Sequence, residues 1–246
     1  MVRTESLPRH EAEVLEAFVR GVSWSELWSR RDEAFDVSRF DELVARRLGG
    51  EPLAYITGST NFYGLEIRCG SGVLVPRPET EILVEVALEM IRGIDAPTVI
   101  DIGTGTGCIA LAIAAKRPDA LVFATESSDE ALAWARRNVD GTSVRLVRGD
   151  LFAGCPRADL VVSNPPYVAI GAELPADVRR EPSAALYGGP DGNEVLDRIV
   201  DGLAGHGAVA LEIGTREQAV HVASRLPDAT IHPDLTGRPR VVSARC

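Results

Sequence analysis

The chain is poor in the features of membrane-bound and secreted proteins. No apolar run approaches the ~20 residues that span a bilayer, and the N-terminus has no signal-peptide-like apolar core. The four cysteines, Cys69, Cys108, Cys155 and Cys246, are scattered with no Cys-x-x-Cys pair. That excludes a zinc ribbon or a disulfide framework and fits a reducing compartment, so the cytoplasm is the expected location. His10, His206, His221 and His232 have no ligand spacing; surface or edge positions are expected for them, and no metal. Positive charge is also scarce, with 26 Lys and Arg against 36 Asp and Glu and a net charge of −10. A nucleic-acid enzyme ordinarily shows a basic face. Here Arg30-Arg31, Arg46-Arg47, Arg136-Arg137 and Arg179-Arg180 are short and lie near acids. Nucleic acid is therefore not the expected partner. Internal repeats and low-complexity tracts are absent.

What is present suits one large or two modest domains with a real core: 246 residues, 45% of them hydrophobic. Residues 8–48 have helical patterning, with Val14, Leu15, Phe18 and Val19 on one face and Phe40, Leu43, Val44 and Leu48 on another. Trp24, Leu27 and Trp28 are expected to pack in the core of this small bundle. Residues 52–75 alternate short apolar runs with glycines, which predicts β-hairpin material. A helix is expected to start near Pro78, with Ile82, Leu83, Val86, Ala87, Met90 and Ile91 as its apolar stripe. From residue 98 strands (98–102, 121–125, 144–148, 158–163, 207–213) alternate with helices (107–116, 128–138, 193–204, 216–226). That is a doubly wound α/β pattern, closed by a hairpin at 229–232 and 240–244. The expected division is a helical docking domain (1–50), a β-hairpin linker (51–76) and a catalytic domain (77–246).

Between the strand at 98–102 and the helix that follows lie Gly103, Thr104, Gly105, Thr106 and Gly107. Glycine permits positive φ and close approach of a ligand to the backbone. A dinucleotide fold wants G-x-G-x-x-G, but Cys108 occupies the place of the third glycine. The spacing G-x-G-x-G after Asp101 is similar to the S-adenosylmethionine loop of Rossmann-like methyltransferases. An acidic residue at the end of the next strand is expected to accept from ribose hydroxyls, and Glu126 stands there. Its alternative is a loop charge beside a capping box, Ser127-x-x-Glu130. Asp150, after the third strand, is placed to reach an adenine amine.

The apolar run at 158–163 stops at Asn164-Pro165-Pro166-Tyr167. Asn164 offers a side-chain carbonyl and is pushed towards extended backbone by the proline after it. Pro165 and Pro166 have fixed φ and no N–H. Tyr167 adds a flat ring. Two carbonyl acceptors and a ring face form a cradle for an NH2 group, whether of an amide or of a base. Residues 168–192 then form a long segment with little regular pattern, as substrate-facing loops often do.

Several segments follow one another in one order: Gly50 to Gly58, Phe62-Tyr63-Gly64, Leu74 to Glu81, the glycine loop, Ser163 to Tyr167 and Glu181-Pro182. Together they resemble the peptide chain release factor N5-glutamine methyltransferases, from about residue 49 to the C-terminus. The resemblance implies S-adenosylmethionine as cofactor and, as partner and substrate, the glutamine of the Gly-Gly-Gln loop in class 1 release factors. It implies that Gly103 to Gly107 hold the methionine end of the cofactor, Glu126 the ribose, and Asp150 and Leu151 the adenine. Asn164 is then a cofactor neighbour as well as a catalytic residue with Pro165 and Tyr167. Asn164, Pro165, Pro166 and Tyr167 would hold the glutamine, with Arg77 and Glu181 as further substrate-binding candidates. A monomer is expected. The chain departs from the family pattern in a helical region roughly twenty residues shorter than expected, in Arg180 where an aromatic often precedes Glu-Pro, and in Leu151 where some members carry an aromatic. An amino-methyltransferase acting on adenine or guanine shares the Asn-Pro-Pro-Tyr cradle and is the alternative activity. A non-catalytic cofactor-binding protein is the other alternative.

Overall fold

The computed structural model describes residues 7–246; residues 1–6 of the expected first domain lie outside the described residues. Helices α1 (Arg9–Arg20), α2 (Trp24–Leu27) and α3 (Val37–Leu48) build the N-terminal unit. Leu15, Phe40, Leu43 and Val44 fill its core together with Ile56. Ser23 caps α2 with a full capping box, and Asp36 caps α3 through Arg39 N–H.

Not every apolar residue expected inside this unit is inside. Trp24, Trp28, Phe18 and Leu48 are exposed. Three short helices enclose one narrow core, which Leu15 and Leu43 already fill at 0% exposure. The Trp28 ring instead lies under two guanidinium groups, those of Arg9 at 5.5 Å and Arg31 at 4.7 Å from its centroid.

The hairpin is shorter than its expected span. Leu53–Thr57 is a short helix, α4, stopped by Gly58 at φ 82°. Proline at 52 presets a helical start, and no strand partner reaches this segment. The hairpin itself pairs β1 (Ser59–Phe62) with β2 (Leu65–Arg68). Tyr63 and Gly64 make its turn, both at positive φ (52° and 79°), as a two-residue hairpin turn of the right twist needs. A single 3₁₀ turn over Pro78–Thr80 then leads into α5 (Glu81–Met90).

The remaining strands are β3 (Thr98–Ile102), β4 (Leu121–Glu126), β5 (Arg145–Arg148), β6 (Leu160–Ser163), β7 (Ala208–Glu212), β8 (Thr230–Pro233) and β9 (Pro239–Arg245). They form a seven-stranded sheet in the order β5-β4-β3-β6-β7-β9-β8. Strands β3 to β7 run parallel, while β9 and β8 close the edge antiparallel. The helices between them are α6 (Cys108–Lys116), α7 (Asp129–Val139), α8 (Ser183–Leu186), α9 (Glu194–Asp201) and α10 (Arg216–Ser224). Strand side chains alternate between two cores. Val99, Leu160, Val162, Ala208 and Ala210 pack towards α5 and α6. Ile100, Val161, Val209 and Leu211 pack towards α9 and α10. Burial on both faces is why these strands read as continuous apolar runs. The cap of α7 falls one residue later than expected: Ser128, not Ser127, accepts from Ala131 N–H at 3.2 Å.

The sheet order reverses between β3 and β6. Ligands of doubly wound folds bind outside the strand ends at that reversal. The segment after β6 is folded, not irregular. Val168 bridges Tyr187, α8 and a 3₁₀ turn at Val178–Arg180 lie inside it, and Gly188 N–H donates to Val168 O at 2.9 Å. A Cβ at Gly188 would lie 2.3 Å from Pro166 O and 2.8 Å from Gly192 O. Gly188→Ala should therefore destabilise the chain by about 1–3 kcal/mol in urea unfolding and reduce activity in whatever folds. An unchanged midpoint with full activity would show that this packing does not fix the corner.

Candidate active site

The site is assembled from strand ends. The loop after β3 turns through Gly103, Gly105 and Gly107 at φ 64°, 58° and 85°, a backbone shape that side chains bearing a Cβ disfavour. Asp101 holds this loop from beneath. Its Oδ2 accepts from the Thr104 hydroxyl at 2.5 Å and from Ala110 N–H at 3.2 Å. The group is fully buried, and burial pushes its pKa up to about 7 against the pull of those two donors. Glu126, at the end of β4, reaches back: Oε2 accepts from Gly105 N–H at 3.0 Å, and Oε1 from Ser127 and Ser128 N–H at 2.8 Å each. The acid that ends β4 thus also fixes the glycine loop.

Beside the loop stands the Asn164 corner. Strand β6 pairs with β3 so that Ser163 lies opposite Ile102, and the Ser163 hydroxyl donates to Ile102 O at 2.8 Å. The Asn164 amide donates through Nδ2 to Thr80 Oγ1 at 3.1 Å. Among the described residues no backbone donor reaches the Pro165 carbonyl. Loop and corner together wall a cavity of about 310 Å³, within the size range of small-molecule sites. Gly103 to Thr106, Glu126, Asp150, Leu151, Asn164, Pro165, Pro166 and Arg77 all line it.

Three candidates stand elsewhere. Gly107 caps α6 and packs on α7, where a Cβ would come 3.3 Å from Val139. Glu181 is buried below the cavity. It accepts from Val75 N–H at 3.0 Å, pairs with the Arg77 guanidinium, and its pKa is raised by burial against the pull of Arg77. Tyr167 is not on the cavity wall. Its hydroxyl donates to Glu212 Oε1 at 3.1 Å, its carbonyl accepts from Gln218 Nε2 at 2.8 Å, and its ring lies against Gly214. The phenol therefore braces the corner from behind. Asp150 is also committed, to an ion pair with Arg198, another cavity residue.

Asp101 stands in the motif as the residue before the glycine loop and Thr80 in the Leu74 to Glu81 segment, though spacing gives neither a role, and Glu212 and Arg198 are residues that motif spacing does not single out. A trace exists for Glu212, a charge that closes the apolar run 208–211. Arg198 leaves none, since it sits on an ordinary amphipathic helix. Among the described residues no three His, Cys, Asp or Glu side chains cluster as a metal would need, and no helix is long and apolar enough to cross a membrane.

The fold is similar to that of the hMettl16 catalytic domain solved with MAT2A 3′UTR hairpin 6. The TM-score is 0.65 at 17% identity, over 80% of this chain and 82% of that one. A methyltransferase from Pyrococcus furiosus gives a TM-score of 0.55 at 21% identity, over 83% and 98%. These likenesses concern the fold alone. The model of the methyltransferase small domain matches residues 78–180, and that of the PrmC N-terminal domain matches residues 3–58. Fold, cavity and matched domain define a Rossmann-like methyltransferase, a class whose methyl donor is S-adenosylmethionine. The release factor glutamine methyltransferase of Streptomyces coelicolor is 41% identical over 97% of this chain and 91% of its own length. The one from Burkholderia pseudomallei is 41% identical over 99% and 92%. The chain belongs to the release factor glutamine methyltransferase family. The alternative, a base-directed enzyme, is not favoured: the RNA-bound neighbour shares the fold at low identity, whereas the near-full-length relatives are protein methyltransferases.

A buried acid whose folded pKa lies above its unfolded value of 3.8 holds its proton more tightly in the folded state. Its stabilising contribution is complete below pH ~4 and is lost as pH rises towards 7. In urea unfolding between pH 4.5 and 8, Asp101→Asn should gain on the wild type with rising pH, by at least about 1.4 kcal/mol. A pH-independent difference would show that Asp101 is not a desolvated acid.

Proposed function

We propose that the chain transfers the methyl group of S-adenosylmethionine to the side-chain amide nitrogen of the glutamine in the Gly-Gly-Gln loop of class 1 release factors. The observation that carries this is that the Asn164–Pro165 corner lines the same cavity as the glycine loop. When bound, the cofactor supplies an electrophilic methyl. Gly103 to Thr106 would hold its methionine end, with Gly107 shaping the loop from the start of α6, Glu126 would accept from the ribose hydroxyls, and Asp150 and Leu151 would flank the adenine, with Arg198 orienting Asp150.

The substrate nitrogen is weakly nucleophilic, because its lone pair is shared with the carbonyl in the resonance that gives amides a rotation barrier of roughly 18–20 kcal/mol. Asn164 Oδ1 and the Pro165 carbonyl each accept one amide N–H, which orients the nitrogen and raises its electron density. Pro166 completes the wall and Tyr167 stiffens it. Positioning of this kind supplies up to about 7–11 kcal/mol. The excess proton leaves after transfer, so no general base is needed beforehand.

The helical unit, residues 1–50, serves as the docking domain, residues 51–76 as the linker, and residues 77–246 as the catalytic domain. A second cleft of about 960 Å³ runs between helices and hairpin, and it shares Val75, Pro76 and Arg77 with the cavity. Exposed Phe18 and Trp24 line it. A protein loop laid in the cleft reaches the Asn164 corner past the Arg77–Glu181 pair. The enzyme acts as a monomer in the cytoplasm.

Incubation with labelled S-adenosylmethionine and a class 1 release factor should add one methyl, which mass analysis places on the loop glutamine. Label retained after that glutamine is replaced would contradict the substrate assignment. Asn164→Ala should slow transfer on the order of 10²–10³-fold; a loss of tenfold or less would contradict the cradle.

A further inference from the structure

The cavity between the glycine loop and the Asn164 corner is short of flat surfaces. None of the described residues that line it carries an aromatic ring. The rings closest to it in sequence or in space are committed elsewhere. Phe152 follows Leu151 directly but turns away: its ring lies against His206, 4.9 Å between centroids, and a Cβ at Gly202 would come 2.3 Å from it. Trp134 donates to Ser71 O at 3.0 Å and lies under the Arg137 guanidinium. Tyr167 braces the corner from behind. Leu151 does line the cavity, at φ 50°, a left-handed backbone that costs a residue bearing a Cβ and is found where a ligand site holds it. Adenine is a planar π system. Aliphatic walls at Leu151 and Val195 exclude water from it but offer no flat partner.

The planar cations on the wall are the guanidinium groups of Arg77 and Arg198. Arg77 is paired with Glu181 at the neck shared with the cleft. Arg198 stands on α9 three residues after Val195, on the same helix face, and both line the cavity. Its Nη2 donates to Asp150 Oδ2 at 2.5 Å. The two side chains of this pair are 48% and 62% exposed, so the pair adds little stability. It does two other things. The carboxylate balances the guanidinium charge, so the wall does not repel the cationic sulfonium of the cofactor. The N–H that meets Asp150 also lies in the guanidinium plane, which leaves the two faces of that plane free. A guanidinium stacks on an aromatic face, whereas the ammonium of lysine has no plane to offer.

We propose that Arg198 is an adenine-binding residue: its guanidinium, held in place by Asp150, stacks on the adenine of S-adenosylmethionine and supplies the flat surface that no ring in the cavity provides. This rests on the assignment of the adenine to Asp150 and Leu151. The Asp150 carboxylate then has two tasks, since Oδ2 holds Arg198 while its remaining lone pairs accept from the adenine amine. Leu151 needs only to be apolar.

The test measures the calorimetric Kd of S-adenosylhomocysteine and of 5′-methylthioadenosine, which lacks the amino-acid end, for the wild type, Arg198→Ala, Arg198→Lys and Asp150→Ala. Arg198→Ala should weaken both ligands about fivefold to thirtyfold, the range of a cation stacked on a ring out of water. Arg198→Lys can keep the ion pair but not the stack, and should stay at least about threefold weaker than the wild type. The urea midpoint of both variants should match the wild type, because the side chain is half exposed. Equal Kd values in Arg198→Ala and the wild type overturn the proposal. Near-wild-type affinity in Arg198→Lys does so too, since Arg198 is then only a partner of Asp150. A loss with S-adenosylhomocysteine but not with 5′-methylthioadenosine also overturns it, because the contact then lies outside the base. Asp150→Ala distinguishes these failures from a misplaced adenine. Weaker binding in Asp150→Ala alone keeps the adenine at this end of the cavity and removes Arg198 from it, whereas wild-type affinity in both Asp150→Ala and Arg198→Ala removes the adenine itself.

Discussion

Two parallel strands placed side by side hold this site together. Because β3 and β6 pair directly, with Ile102 opposite Ser163 and the Ser163 hydroxyl bonded to Ile102 O at 2.8 Å, the segments leaving them emerge at one edge of the sheet. One is the glycine loop, the other the Asn164 corner. The reversal of strand order at this pair forces the two loops apart just enough to leave a crevice between them. Everything else supports one of the two walls. Asp101 and Glu126 fix the glycine loop from below and from the side. Tyr167, Gln218 and Gly188 fix the corner from behind.

The supports are made of polar groups out of water, and that explains their chemistry. Asp101 and Glu212 are both buried carboxyls with pKa values raised by desolvation. They flank the two walls, one under the glycine loop and one behind Asn164. Each accepts from a hydroxyl, Asp101 from Thr104 and Glu212 from Tyr167. A buried acid with a short donor keeps a loop in one conformation more strictly than apolar packing does, at some loss of stability. The helical unit is fastened by a different means, at partly buried ion pairs. Arg47 joins Glu11 of α1 to Asp177 of the segment after β6. Arg180 donates to Gly49 O at 2.9 Å, so the residue that stands where an aromatic was expected ties the helical unit to the segment after β6.

Much of the catalytic domain was legible because burial on both faces writes itself as unbroken apolar runs, as at 98–102 and 158–163, and because glycine and proline mark the turns between them. The strand ends then pointed to Glu126, Asp150 and Asn164 without reference to contacts. What was not legible depended on partners distant in sequence. Trp24 and Trp28 look like core residues until the narrowness of a three-helix unit leaves them outside. Residues 53–57 carry no helical period long enough to show. Tyr167 reads as a substrate-facing ring because its hydroxyl partner, Glu212, lies 45 residues further on. Asp150 reads as a free acid because Arg198, its partner, lies on a helix whose own pattern is ordinary.

The central claim is that Asn164 and Pro165 grip a glutamine amide directly beside the methyl donor. A crystal structure with a cofactor analogue and a Gly-Gly-Gln peptide measures this most directly. The account predicts the glutamine nitrogen at hydrogen-bond distance, about 2.7–3.2 Å, from both Asn164 Oδ1 and the Pro165 carbonyl, with its free face towards the donor. A glutamine side chain held elsewhere in the cavity, or Asn164 presenting its NH2 to the peptide, would contradict it.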